Sequence, residues 1–428
     1  MAIMLEEILK VLQTLALEGK YAELYDGILK NYDIFAKNIS YIDNYIANVD
    51  INEHSLLILF YLKIKFNNFP IVNATVNKFY EFIDAIDVHQ INCAIDIYSN
   101  VCHSFTQYLI INKTPLKGMS IIAKAITNIQ NESSELTTIH SDLLHLCLSS
   151  RDLTPSLQFL DIDITSINKE NNKCDSKYIL LYYYYGGLIY LALKNYERSF
   201  LFFEIGLTIP AHSISLIMVE TLKKYIILSL LTHNKVINLP KFTSNIVVRV
   251  IKPICQPYLD IANAYMNSPN NIALLENKLA EHTELLNKDG NMGLAKQLKK
   301  AFHKNHLKKL SKIYLTISID NLTNQLKLQN ENLTKRLLIE MIMNGEIHGK
   351  IDEYKGIMVF YDEDFKSYYS DGDKLMKTLR EEGQKCMDLR NHMEKITNKI
   401  STNPQYIQKL LGMEDISSGN FKNIVPYP

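Results

Sequence analysis

Few residues in this chain have the type and spacing that chemistry requires. His303 and His306 stand three apart in "FHKNHL", which lets one helix face hold a metal ion, but the flanking lysines would repel a cation. "GEIHGKI" at 345–351 imitates a phosphate-binding loop. It has three residues between its glycines instead of four, and Ile351 stands where Ser or Thr would hold Mg²⁺. Cys102 adjoins His103, yet neighbouring residues of a helix point apart, so a thiol–imidazole pair is not expected. Neither an HExxH motif nor a His-x-His pair occurs. The sequence therefore assigns no catalytic residue, no metal ligand and no cofactor site, and the expected role is not that of an enzyme.

The elements that would carry such residues point to a protein of packed helices. Over 428 residues, 46 basic side chains balance 46 acidic ones, so no net field draws the chain to nucleic acid or anionic lipid. Apolar residues make up 47%, enough for a large core. The longest uncharged aromatic stretch, Tyr178 to Leu193, is 16 residues with glycines inside it, short of the roughly 20 that a membrane helix needs. The start, "MAIMLEEILKVLQ", carries acids where a secretory signal needs basic residues. The six cysteines (93, 102, 147, 174, 255 and 386) are scattered without a CxxC pair, which favours reduced thiols over a disulfide frame. A non-secreted protein without a membrane segment is expected, and triplets such as Asn38-Ile-Ser40 are then not glycosylation sites.

The stretch "YILLYYYYGGLIYLALKNYERSFLFFE" has the pattern of a tetratricopeptide-like hairpin. Tyr183, Gly187 and Tyr190 supply its first helix. Tyr196, Ser199, Phe203 and Gly206 supply its second, and Pro210 lies near the close. Small residues let two helices approach where they cross, and aromatics fill the groove beside them. Weaker copies lie upstream, at Gly118, Ile122 and Ala125 and at Ser156 and Leu160, with Gly19 as an earlier breaker. Packing is favoured for the tyrosine run over a ligand-binding aromatic pocket. Helical spacing continues to about residue 310, and Gly and Pro are few, at 15 and 11. Stacked hairpins of this kind form a solenoid whose concave face binds proteins.

Residues 296–312, "KQLKKAFHKNHLKKLSK", hold seven lysines and no acid. A helix with Ala295, Leu298, Phe302, Leu307 and Leu310 turned inward would leave the lysines on a solvated or acid-docking face. Nucleic acid is the weaker reading, since Phe302 is the only aromatic offered for base stacking. Next, "IYLTISI" at 313–319 reads as a short strand with Asp320 as a helix cap. Glu331 to Asn344 reads as a second helix closed by Gly345. "EIHGKID" and "GIMVF" read as a strand hairpin. Helix–turn–helix plus hairpin is a winged helix, and Gly356, Ile357, Met358, Val359 and Phe360 are its candidate open edge. Its second helix sets Lys335 and Arg336 against Glu331 and Glu340, a balance that suits a protein surface better than a DNA groove.

Leu375, Leu379, Glu382, Cys386, Leu389, Met393, Ile396 and Ile400 then step by alternating fours and threes, a heptad seam with one polar position. Each apolar seam residue would contribute roughly 1.5–3 kcal/mol if fully buried. A partner helix bundle is the favoured cover, and folding back on the same chain is the alternative.

A helical repeat running into a winged helix and a long last helix resembles the PCI family, whose members are subunits of the proteasome lid, the signalosome and a translation initiation factor complex. "EHSLLILF" (53–60), "YYYYGGLIYLALKNYERSF" (182–200), "LPKFTSNIVVRVIKP" (239–253), "LTISIDNL" (315–322), "EMIMNGEIHGKID" (340–352) and "NPQYIQKLLG" (403–412) narrow the resemblance to the signalosome's subunit 3 family. The resemblance implies a mainly α protein with tetratricopeptide-like repeats over 1–195. A PCI domain follows over 196–365, with its winged helix at about 313–360, and then a bundle helix and tail over 366–428. It also implies a non-catalytic scaffold in a complex that removes a ubiquitin-like modifier from cullins with a zinc centre carried by another subunit. Partners would be other PCI-type subunits, through winged-helix and terminal-helix contacts, with cullin-RING ligases reached indirectly and no membrane contact. The expected location is cytoplasm and nucleus. A proteasome-lid scaffold and a winged-helix nucleic-acid adaptor are the alternative functions.

Overall fold

Apolar residues recurring every three to four positions make helices the dominant element, and the structure, a computed structural model, is mainly α-helical. It describes residues 2–46, 49–68, 73–130, 132–167, 175–210, 213–267, 272–328, 330–361, 372–404 and 406–409. These form two compact units, one ending at His306 and the other beginning at Leu307. No helix among the described residues is long and apolar enough to cross a membrane.

The first unit is a succession of packed helices. Gly19, at φ +74°, separates Ala2–Leu17 from Tyr21–Lys30, as its breaker role requires. Ser55–Asn68 and Ile95–Ile111 bury Phe66 and Phe105 against Phe79, with ring centroids 4.5–6.3 Å apart. Leu116–Ile129 presents Gly118, Ile122 and Ala125, all buried, and Leu109 of the preceding helix fills the space at Gly118. A two-residue parallel pair, β1 (Glu135–Leu136) with β2 (Ser166–Ile167), links the loops around His140–Ser150 and Thr154–Leu160.

The aromatic hairpin is a close crossing. Asp175 caps Ser176–Ala192 and Asn195 caps Tyr196–Thr208, each accepting from a backbone N–H at the helix start. A Cβ on Gly186 would lie 2.7 Å from Phe202 ring carbons, and one on Gly187 would lie within 2.8 Å of three ring carbons of Phe203. Ser199 Oγ donates to the Gly187 carbonyl at 2.8 Å across the same crossing. The four tyrosines serve packing on different sides. Tyr182 is fully buried between Phe202 and His140, Tyr184 lies beside Phe203, and Tyr185 stacks on His145 at 5.0 Å. Phe203, Tyr225, Val247, Tyr258 and Leu298 belong to the core that continues towards Met292–Ser311.

The second unit holds a winged helix. Its core gathers Leu307, Leu322, Leu338, Met341 and Met358. The sheet runs in the order β3 (Thr316–Ser318), β5 (Ile357–Phe360), β4 (Gly349–Asp352), antiparallel throughout. Gly349 is required where β4 meets β5, because a Cβ there would lie 2.6 Å from the Val359 carbonyl oxygen. Between β3 and β4, Ile319–Leu326 and Glu331–Met343 cross where the Thr323 and Thr334 hydroxyls meet at 3.0 Å. The cap of the first of these helices is Ser318, which accepts from Asn321 N–H, and not Asp320. Asp320 already lies inside the first turn, where its charge suits the helix dipole. Gly345, at φ +68°, closes the second helix by donating to the Ile342 carbonyl.

Candidate protein-docking surface

The terminal helix, Gly372–Ser401, has 30 residues and therefore a length of about 45 Å. From Met376 to its end every described side chain is exposed except His392, which is half-buried. The seam residues Leu379, Leu389, Met393, Ile396 and Ile400 are 42–61% exposed, and Cys386 is exposed with them. Leu375 lies on the helix backbone with its side chain outside the described residues. The polar seam position, Glu382, pairs with Lys385 at 2.8 Å. Two further apolar side chains escape the heptad reading, Met376 and Met387, both exposed. Each follows a seam residue by one position, so a helical wheel drawn at 100° per residue shows them widening the stripe, whereas a strict heptad hides them.

The winged helix also offers backbone for docking, but not where the hairpin pattern placed it. Ile357 to Phe360 form the central strand, paired with β3 on one side and β4 on the other. Met358 and Phe360 are buried in the core, and Gly356 is the turn glycine at φ +62°. That run is thus not an open edge; the outer strands of the sheet are β3 and β4. Beside β3 the chain exposes Ile313, Tyr314 and Leu315 in succession, and Leu315 still accepts from Phe360 N–H at 2.7 Å. Hydrophobic alternation does not encode strand order, so the hairpin pattern leaves open which strand is central.

The lysine-rich helix behaves as its spacing suggests. Ala295, Leu298, Phe302, Leu307 and Leu310 are buried, and Phe302 meets Tyr265 edge-on at 5.5 Å, so no aromatic of this run is free to stack on a base. Among its cations, Lys299 pairs with Glu276, and Lys308 pairs with Glu346 at 3.0 Å. His303 is buried, and burial first, then Lys299, pushes its pKa down. Among the described residues no group of three or more His, Cys, Asp or Glu is arranged to hold a metal ion.

The remaining chemical candidates dissolve into structure. "GEIHGKI" ends a helix and enters β4, the reverse of the strand-to-helix order that turns backbone N–H groups onto a phosphate. Cys102 is wholly buried, which raises its thiol pKa well above the ordinary value. His103 instead pairs with Asp142 and stacks flat on Tyr178 at 3.8 Å, tying Ile95–Ile111 to two later helices. Sequence gave no hint of that contact, since its partners lie 39 residues apart.

What the molecule presents is apolar helix face and sheet edge, the materials of protein association. Known proteins resemble this chain over most of its length. Residues 18–247 match the family of COP9 signalosome complex subunit 3, N-terminal helical repeats. Residues 279–362 match the PCI domain. A Drosophila melanogaster protein named COP9 signalosome complex subunit 3 is 31% identical over 430 residues, covering 96% of this chain and 95% of its own. A Dictyostelium discoideum protein of the same name is 30% identical over 372 residues, covering 86% and 88%.

Proposed function

This chain belongs to the COP9 signalosome complex subunit 3 family, and from that premise we propose how it serves the signalosome as a scaffold subunit. The terminal helix joins a bundle formed with other PCI-type subunits, and the winged helix adds contacts through its outer strands. The observation that carries this is the uncovered seam from Leu379 to Ile400. A monomer rarely leaves so long an apolar stripe in water, and burying it against partner helices is the direct way to recover its transfer free energy. Removal of the ubiquitin-like modifier from cullins falls, in this reading, to another subunit. Cullin-RING ligases are met through the complex rather than by this chain, which works in both cytoplasm and nucleus.

Deleting residues 371–402 tests the proposal. The truncated chain is expected to fold, since the four hydrophobic core clusters of the described residues lie outside that segment, and to be lost from the purified complex. Full-yield co-purification of the truncated chain would end the reading. The nucleic-acid alternative is disfavoured by the buried Phe302 and by the ion pairs of Lys299 and Lys308. Binding of the full chain to RNA or DNA at low salt would revive it.

A further inference from the structure

A second surface lies in the first unit, on the segment that follows the helix Leu216–His233. A cavity of about 170 Å³ opens there. Leu222, Tyr225 and Ile226 form its buried floor, while Asn238, Val248 and Lys252 line it as exposed residues. Val248 belongs to a five-residue π-helical turn, Val247–Ile251, a rare element that often marks functional sites. The same stretch of chain also exposes Phe242, Val250 and Ile254.

Lys252 is the one charged side chain among the described residues that line the cavity. From Thr221 to Leu259 the chain contains no Asp or Glu. Lys223 and Lys224 in that span are paired with Glu220. Lys235, Lys241, Arg249 and Lys252 are exposed, and none forms an ion pair among the described residues. The cavity size fits one side chain better than a whole metabolite: an apolar void of roughly 150 Å³ accepts a benzene ring, whereas small-molecule sites run to roughly 300–1,000 Å³.

We propose that the cavity lined by Leu222, Tyr225, Val248 and Lys252 is a docking site for an acidic linear peptide of another protein, which inserts one phenylalanine-sized side chain and sets a neighbouring carboxylate against Lys252. The apolar anchor supplies most of the affinity. The cations steer the approach and set its salt dependence. This site is independent of the terminal helix and does not rest on the bundle described above.

Fluorescence anisotropy of a labelled dodecapeptide, one phenylalanine within a run of glutamates, tests the proposal on the full chain. Replacing the peptide's phenylalanine with serine is expected to weaken binding about tenfold or more. Val248→Glu, which sets a negative charge on an exposed lining residue, should weaken it about tenfold, and Lys252→Ala about threefold with a shallower salt dependence. Thermal melts establish that each variant is folded; should Val248→Glu fail that check, Lys252→Glu at the exposed position takes its place. The proposal is overturned if the phenylalanine peptide does not bind at millimolar concentration, or if the serine peptide binds equally well. It is also overturned if the folded variants bind as the parent does. Displacement of the peptide by a twelve-nucleotide polyuridine RNA at equal concentration would assign the surface to phosphate and overturn it too.

Discussion

The aromatic hairpin and the terminal helix each carry apolar side chains and glycine at helical spacing, the first amid aromatics and the second amid charges, and they end in opposite states. In the hairpin, Gly186 and Gly187 leave room that Phe202 and Phe203 occupy down to van der Waals contact. In the terminal helix, no atom of the described residues beyond the local helix backbone lies within 4 Å of where a Cβ on Gly383 would stand. Leu180, Ile189, Phe202, Phe203 and Leu207 of the hairpin are buried, whereas Leu379, Leu389 and Ile396 lie in water. An apolar side chain is buried only where the same chain supplies a second surface at the right spacing, and among the described residues after 372 none is supplied.

That contrast can be attacked from both sides. The double substitution Leu389→Asp with Met393→Asp should break assembly most severely, by about 100-fold in partner capture, because it puts two charges on the seam centre. Since both residues are exposed, thermal stability of the isolated chain should move by no more than about 0.5 kcal/mol. A large loss of stability would show the seam packed within the chain after all.

Acid should act on the packed body instead. His140 is buried against Phe159 and Tyr182, and burial pushes its pKa from 6.5 down to about 4. Above pH 6.5 it is neutral folded or unfolded. Between 6.5 and about 4 only the unfolded chain takes the proton, so stability falls with falling pH, by about 1.4 kcal/mol per pH unit and about 3 kcal/mol in all. Urea unfolding at pH 7 and pH 5 measures this, and His140→Gln should flatten the difference. An unchanged pH dependence in that variant would remove His140 as its source.

Gly187→Ala should cost about 1–3 kcal/mol, because Phe203 is fully buried and a fitted ring must give way. The smallest effect sharpens the comparison furthest. Gly383→Ala should raise the helicity of the free chain, worth about 1 kcal/mol, since nothing occupies the space. If the same change lowers the yield of the assembled complex, a partner approaches Gly383 as Phe203 approaches Gly187.

The sequence exposed those parts of the fold that rest on local spacing. The small residues at 187, 199 and 206, the inward stripe from Ala295 to Leu310 and the heptad from Leu379 onwards are all periodic signals, and each is carried by a helix. The parts it concealed depend on contacts between distant segments. Strand order in the winged helix is one: Ile357 to Phe360 look like any amphipathic strand until β3, some 40 residues earlier, pairs with them. The cap at Ser318 is another, since two capping residues stand close together and only the backbone turn decides between them. The His103–Asp142 pair and the cavity beside Val248 need three-dimensional closure and leave no periodic trace.

A helix without a covered side is held, in the free chain, by its own backbone bonds and by local propensity. Its amide hydrogens therefore exchange with solvent through fraying of single turns, far faster than those beneath Phe203 or Leu338. Mass-resolved deuterium uptake across 376–401 thus becomes a built-in gauge of assembly: quick in a lone copy, and slowed in proportion to the fraction of copies that have found their neighbours.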